Sequence, residues 1–167
     1  FLHVDWMHLL FNMITLYFFY TIPFSVMGEV RFFILYFVSL GLSSYFSYVV
    51  NKNNNNYAAV GASGAVSAVL FSAIILNPTL KLIIFPIPIP IPGYIFAVAY
   101  LLFTMYGMRS SLGNIGHSAH MGGAAAGILL TILMVPKVLT VHPVMTLVIS
   151  ALVVGLILWE LKRRKLF

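Results

Sequence analysis

The sequence of 167 residues contains no cysteine and very few charged side chains. Without cysteine, disulfide bonds, thiolate metal sites and a cysteine nucleophile are excluded. Charged residues make up 7% of the chain, whereas a water-soluble domain carries about 25%. The low charge excludes an ordinary soluble domain. The acidic residues are Asp5, Glu29 and Glu160.

Apolar side chains are abundant instead, at 62% of the residues, and the mean hydropathy is +1.05. A membrane-spanning helix needs about 20 residues, so the length allows roughly six or seven spans with short loops. Backbone polar groups in lipid must find partners within the protein, which favours helices. The composition therefore predicts an all-α, polytopic bundle of membrane helices without a soluble domain.

Polar and turn-forming residues divide the chain into apolar stretches that we predict as about six transmembrane helices. They cover approximately residues 5–26, 30–50, 61–77, 93–107, 115–135 and 142–159. Between the third and fourth stretches, residues 83–92 contain four prolines. Because proline lacks a backbone donor and disfavours helix in the preceding residue, we expect an extended apolar loop there.

The net charge is +6, and four of the nine basic residues form the run from Lys162 to Lys165. We expect this tail to meet lipid headgroups, because no basic patch interleaved with aromatic residues occurs elsewhere. The lipid bilayer is thus an expected partner and nucleic acid is not.

Polar residues at membrane depth are costly unless they are paired or functional. Three groups of such residues occur: His8 with Asn12, the run Gly61 to Ala65, and His117 and His120 ahead of Gly123 and Gly127. Each group alone also has a structural interpretation, either a hydrogen bond between helices or close packing of small residues. His8 and Asn12, four residues apart, share one helical face.

Small residues recur every four positions on the third and fifth stretches, a spacing that lets two helix backbones approach closely. These residues are Gly64, Ala68 and Ser72, and Ala119, Gly123 and Gly127. If the two faces meet, Ser63 comes close to His120. A serine hydroxyl needs an adjacent base to become a good nucleophile, and His120 can supply that base.

No acidic residue lies near Ser63 or His120 in the sequence, which favours a Ser-His dyad over a triad. Acyl transfer also requires donors directed at the developing oxyanion. The backbone N–H groups of Ala62 and Ser63 and the side chains of His8 and Asn12 are the candidate donors.

Three strings carry a family resemblance: His3 to Asn12, Gly61 to Gly64, and Ala119 to Gly123 followed by Gly127. With them the chain resembles the rhomboid intramembrane serine proteases over essentially its whole length. The resemblance implies that Ser63 is the nucleophile and that His120, rather than His117, is the general base. It also assigns oxyanion stabilisation to His8 and Asn12 and a structural role to His3. The packing glycines at the site would be Gly61, Gly64, Gly123 and Gly127.

The resemblance implies cleavage of transmembrane protein substrates through an acyl-enzyme, with no metal and no cofactor. A silent rhomboid-like protein that holds membrane clients is one alternative. A small transporter, with a polar path lined by His8, Asn12 and His120, is another. The sequence indicates no oligomeric state, and the compact core suits a bacterial plasma membrane.

The resemblance also divides the chain, with a rhomboid core at residues 1–136 and an additional helix with a basic tail at 137–167. The family's leading helix and the loop that follows it are absent, so we expect a fragment of a longer protein. In the family, an aromatic residue often follows the serine by four positions and packs on the catalytic imidazole. Ser67 occupies that position here, so we expect either looser positioning of His120 or an aromatic residue from elsewhere.

Overall fold

A computed structural model of the chain describes residues 3–55, 57–84, 87–110 and 116–166. The helices are α1 (Trp6–Phe19), α2 (Thr21–Met27), α3 (Glu29–Asn51), α4 (Ser63–Leu76), α5 (Gly93–Ser110), α6 (His117–Met134), α7 (Val138–Val141) and α8 (Pro143–Arg163). The strands are β1 (Lys81–Ile84) and β2 (Ile87–Pro92). The predicted class, a bundle of helices, is confirmed.

Among the described helices, α3, α6 and α8 are each long and apolar enough to cross a membrane. Together, α1 and α2 form a fourth candidate span that is bent by 45°. The predicted single helix at 5–26 is therefore wrong in one respect, since it breaks at Tyr20. Pro23 lacks the N–H that would bond to the carbonyl of Phe19, which accounts for the break.

The segment that we predicted as an extended loop is extended, but most of it forms the second strand of a hairpin. β2 pairs antiparallel with β1, and Leu82 lies opposite Ile91. Successive residues of a strand direct their N–H groups to opposite edges. Because proline occupies every second position of β2, the intervening isoleucines keep their donors on the paired edge. This alternation lets a proline-rich segment join a sheet.

Helix α4 lies at the centre of the bundle, in contact with α1, α3, α5 and α6. Every residue from Ser63 to Ile75 is buried. A helix that is apolar on all sides is expected in such an interior position. The surrounding helices therefore enclose α4, and its first residue, Ser63, begins inside the bundle.

Small residues allow α4 and α6 to touch backbone to backbone. The facing pairs are Gly64 with Gly123, Ala68 with Gly127, and Ser72 with Thr131. A Cβ atom on Gly123 would collide with the carbonyl oxygen of Gly64, and one on Gly127 with that of Ala68. At the third pair, Thr131 Oγ1 donates a hydrogen bond of 2.7 Å to Ser72 Oγ. The spacing of small residues thus corresponds to a real helix interface.

The last turn of α8 is fixed by a buried carboxylate. Glu160 is fully buried and accepts hydrogen bonds from the guanidinium groups of Arg163 and Arg164. Arg164 also donates to the carbonyl of Val50 at the end of α3, at 2.8 Å. Arg109, at the end of α5, lies 4.0 Å from Glu160. A buried charge persists when it is paired in this way. The basic tail therefore lies at the end of the bundle where α3 and α5 finish.

Candidate active site

Ser63 is the first residue of α4 and is 9% exposed. The N-cap residue of this helix is Ala62, and within the described residues no side chain forms a capping hydrogen bond there. The first N–H groups of a helix have no partners within it, and the helix dipole adds partial positive charge there. The uncapped start of α4 can therefore stabilise an anion next to the Ser63 hydroxyl.

Gly61 brings His8 to this turn. Its φ is +122°, in the region that favours glycine. A Cβ atom at Gly61 would lie only 2.8 Å from Cε1 of His8, so a side chain there would displace the imidazole. The start of α1 is fixed by Asp5, whose carboxylate accepts the backbone N–H of His8 at 2.7 Å. His8 thus packs against the residue two positions before Ser63.

Asn12 lies one turn further along α1 and is buried. Within the described residues, its Nδ2 donor has no hydrogen-bond partner. An unpaired buried donor costs about 1–3 kcal/mol, so such a group calls for an explanation. The ring of His3 stands edge-on to His8, with 5.0 Å between the ring centroids. His3 therefore packs on His8, in line with the structural role predicted for it.

His120 lies in the first turn of α6, between two contacts with α4. The carbonyl oxygen of Ala119 lies 3.2 Å from where a Cβ atom on Gly64 would be, and Gly123 packs on the Gly64 backbone. Since Ser63 immediately precedes Gly64, Ser63 and His120 stand at the same level of two touching helices. In the described residues no hydrogen bond joins their side chains. Such a contact is often long before substrate binds.

An aromatic residue does support His120, and it comes from α5. The imidazole packs on the ring of Tyr100, with centroids 6.1 Å apart and an interplanar angle of 22°. The Tyr100 hydroxyl is hydrogen-bonded to Ser67 Oγ at 2.7 Å. With Ser67 in place of an aromatic residue, we expected either looser positioning of His120 or an aromatic residue from elsewhere. The structure has the aromatic residue from elsewhere, Tyr100. Sequence reasoning did not name Tyr100, because α5 also carries Tyr94, Thr104 and Tyr106 and no local pattern distinguishes Tyr100 from them.

His117, three residues before His120, contacts α5 instead. Its ring meets the backbone of Gly107 so closely that a Cβ atom there would collide with it. It also stands edge-on to Phe103 at 5.5 Å. His117 is therefore packed between α6 and α5, while the ring of His120 lies against Tyr100.

A cavity of about 230 Å³ opens beside Ser63. Hydroxyl-bearing residues supply much of its wall: Ser43, Ser44, Ser47, Tyr48, Tyr57 and Ser63. Next to it, the Ser118 hydroxyl is hydrogen-bonded to Ser47 at 2.8 Å, to Tyr57 at 2.8 Å and to Asn51 at 2.9 Å. These bonds tie the segment before α4 to α3 and α6. Sequence reasoning missed this cluster. The available signal was the serine at every fourth position of α3, at Ser39, Ser43 and Ser47.

Known proteins resemble this chain over most of its length. The family model described as Rhomboid domain matches residues 1–137. The chain belongs to the rhomboid family. It is 31% identical over 132 residues to Rhomboid protein 1, mitochondrial, of Saccharomyces cerevisiae, covering 77% of this chain and 38% of that protein. It is 29% identical over 134 residues to Presenilin-associated rhomboid-like protein, mitochondrial, of Rattus norvegicus, covering 77% and 34%.

This rhomboid chain thus spans less than two-fifths of the length of those relatives. No solved structure matches it. Its family and its candidate spans make it an integral membrane protein. The resemblance drawn from the three sequence strings is confirmed at the level of the family.

Proposed function

We propose that this rhomboid protein is an intramembrane serine protease, with Ser63 as nucleophile and His120 as general base. The observation that carries the proposal is the contact of Gly64 with Ala119 and Gly123, because it sets the two side chains at one level. The described acidic residues are engaged or distant. Asp5 caps α1, and Glu160 binds arginines. Glu29 lies at the start of α3, whereas Asn51, which is bonded to Ser118 near the cavity at Ser63, lies at the other end of that helix. A dyad therefore fits better than a triad.

The reaction follows from the groups around Ser63. His120 takes the proton of the Ser63 hydroxyl as its oxygen attacks the carbonyl carbon of the scissile peptide bond. The negative charge on the carbonyl oxygen meets the N–H groups at the start of α4, the amide of Asn12 and the imidazole of His8. His120 then protonates the leaving amine, and an acyl-enzyme remains on Ser63. Water, deprotonated by His120, attacks the ester carbon; the bond to the Ser63 oxygen breaks, His120 returns the proton to that oxygen, and the carboxylic acid product leaves.

The length of α4 favours chemistry below the membrane surface. Its 14 residues rise about 21 Å, less than the roughly 30 Å of the hydrocarbon core. At least one end of α4 would then lie within the membrane. We place the Ser63 end there, because the cavity beside it, with hydroxyl groups in its wall, offers water a place near the ester. A transmembrane substrate would need to unwind locally, because a helix shields its own peptide bonds. Substrate proteins and lipid are thus the proposed partners.

The presence of Ser63 and His120 together with the oxyanion candidates His8 and Asn12 favours an enzyme over a silent client-binding protein, which needs none of these groups. As the host membrane we propose a bacterial plasma membrane, which suits the compact core. The mitochondrial names of both relatives make a mitochondrial membrane the alternative.

The proposal is tested with the full-length protein that contains this chain, reconstituted in liposomes with a panel of single-span substrates. We expect a cut within or just outside the bilayer, and no cut by the Ser63→Ala variant, which lacks the attacking oxygen. Mass spectrometry of the fragments maps the bond. Undiminished cleavage by Ser63→Ala would exclude this nucleophile. Substrate binding without cleavage by the unmodified protein would favour the client-binding alternative.

A further inference from the structure

We propose that Tyr100 and Ser67 act together as positioning residues for His120, and this proposal rests on the proposed protease function. Tyr100 supports His120 from α5, while Ser67, on the nucleophile's own helix α4, holds the Tyr100 hydroxyl. Ser67 is one turn beyond Ser63 on α4 and is too small to reach the imidazole itself. Its hydroxyl instead holds the Tyr100 hydroxyl at 2.7 Å, and the Tyr100 ring lies against His120.

His120 needs such support because no carboxylate in the described chain orients it. In a triad, the third residue holds the imidazole in the orientation that catalysis requires. Here the roughly parallel contact with Tyr100 limits rotation of the His120 side chain from one face. His117 stands edge-on to His120, with 6.4 Å between centroids, and restricts a second direction.

Tyr100 is itself held on several sides. Beyond its bond to Ser67, its ring meets Phe71 of α4 edge-on at 5.5 Å and Phe96 of α5 at 5.9 Å. Phe71 and Ser67 are both buried on α4. The Tyr100 ring is therefore fixed relative to α4, the helix that carries Ser63. Tyr100 thus links the position of His120 on α6 to that of α4.

Four variants of the full-length protein distinguish the effect of the Tyr100 ring from the effect of its hydroxyl group. Tyr100→Leu removes the ring, Tyr100→Phe keeps the ring without the bond, and Ser67→Ala removes the partner of the bond. Tyr94→Leu is the matched control, because it removes another half-buried tyrosine ring of α5 that lies beside Pro78 and His142 and, among the described residues, makes no ring contact with Tyr100 or His120. The first measurement is the rate at which a fluorophosphonate probe labels Ser63, as a function of pH, together with thermal stability.

We expect Tyr100→Leu to slow labelling by about 10- to 100-fold, the scale of effect of a small misplacement of a catalytic group. Tyr100→Phe and Ser67→Ala should slow it less, and Tyr94→Leu should leave the rate and its pH profile close to those of the unmodified protein. Equal losses in Tyr100→Leu and Tyr94→Leu would overturn the proposal, since they would reflect general loosening of α5.

A second measurement does not depend on activity. In NMR spectra of the isotope-labelled protein, the ring protons of His120 should carry a ring-current shift from Tyr100. That shift should disappear in Tyr100→Leu and persist in Tyr100→Phe and Tyr94→Leu. A His120 signal that is unaffected by Tyr100→Leu would overturn the positioning role. If the unmodified protein shows the shift but is not labelled, the protease proposal fails while the contact stands.

Discussion

Replacing His120 with alanine is expected to lower the rate of substrate cleavage by about 10⁴-fold, the upper range for loss of a general base. The Ser63 hydroxyl is a poor nucleophile unless a neighbouring group takes its proton, and the described acidic residues are all engaged elsewhere or distant. Steady-state cleavage of a transmembrane substrate by the full-length protein measures the effect. The thermal unfolding temperature should change little, because His120 is only half-buried.

His117→Ala provides the control for this variant. His117 is 4% exposed and fills the space over Gly107, so its removal leaves a cavity between α5 and α6. We therefore expect a lower unfolding temperature but far more residual cleavage than in His120→Ala. The assignment of the base would be wrong if His117→Ala were the inactive variant and His120→Ala retained activity.

Replacing Gly123 with alanine is expected to impair both stability and cleavage. The added Cβ would collide with the carbonyl oxygen of Gly64, a backbone atom that no rotamer change can move aside. Helices α4 and α6 must then separate. Overpacking of this kind costs about 1–3 kcal/mol of unfolding free energy. Because Ser63 and His120 lie on these two helices, a shift of about 1 Å would also reduce cleavage by roughly 100-fold.

Two glycines on exposed helix surfaces serve as controls for Gly123→Ala. A Cβ atom on Gly41 of α3 or Gly155 of α8 would meet nothing within 4 Å. Since alanine favours helix over glycine by about 1 kcal/mol, Gly41→Ala and Gly155→Ala should leave the protein at least as stable and fully active. Unfolding in detergent and cleavage are measured on all three variants. Wild-type cleavage by Gly123→Ala would contradict the close contact of α4 and α6.

The features that could be predicted from the sequence are those set by residue type at a fixed spacing. Glycine and alanine every four positions indicate a close helix contact because the absence of a Cβ atom, or its small size, is itself the cause of that contact. In the same way, alternating proline indicates an extended backbone. The pairing of β2 with β1 was missed because it depends on how the chain reverses direction between the two strands, which no local pattern specifies.

Contacts between distant helices could not be predicted from spacing. Tyr100 is one of several aromatic residues on α5, and only the rotation of α5 against α4 and α6 selects it as the neighbour of His120. Glu160 presents a mixed case. Arg163 and Arg164 follow it at spacings that allow ion pairs along a helix. Its burial, and the bond from Arg164 to Val50, require the position of α8.

Whether Ser63 is the nucleophile is decided by identifying the residue that a fluorophosphonate probe modifies in the full-length membrane protein. The probe reacts with an activated serine and needs no knowledge of the substrate, so it separates a protease from a silent relative. We expect peptide mapping to find the adduct on Ser63, and we expect labelling to be absent in Ser63→Ala and strongly reduced in His120→Ala. An adduct on another residue, or labelling that persists in Ser63→Ala, would contradict the account.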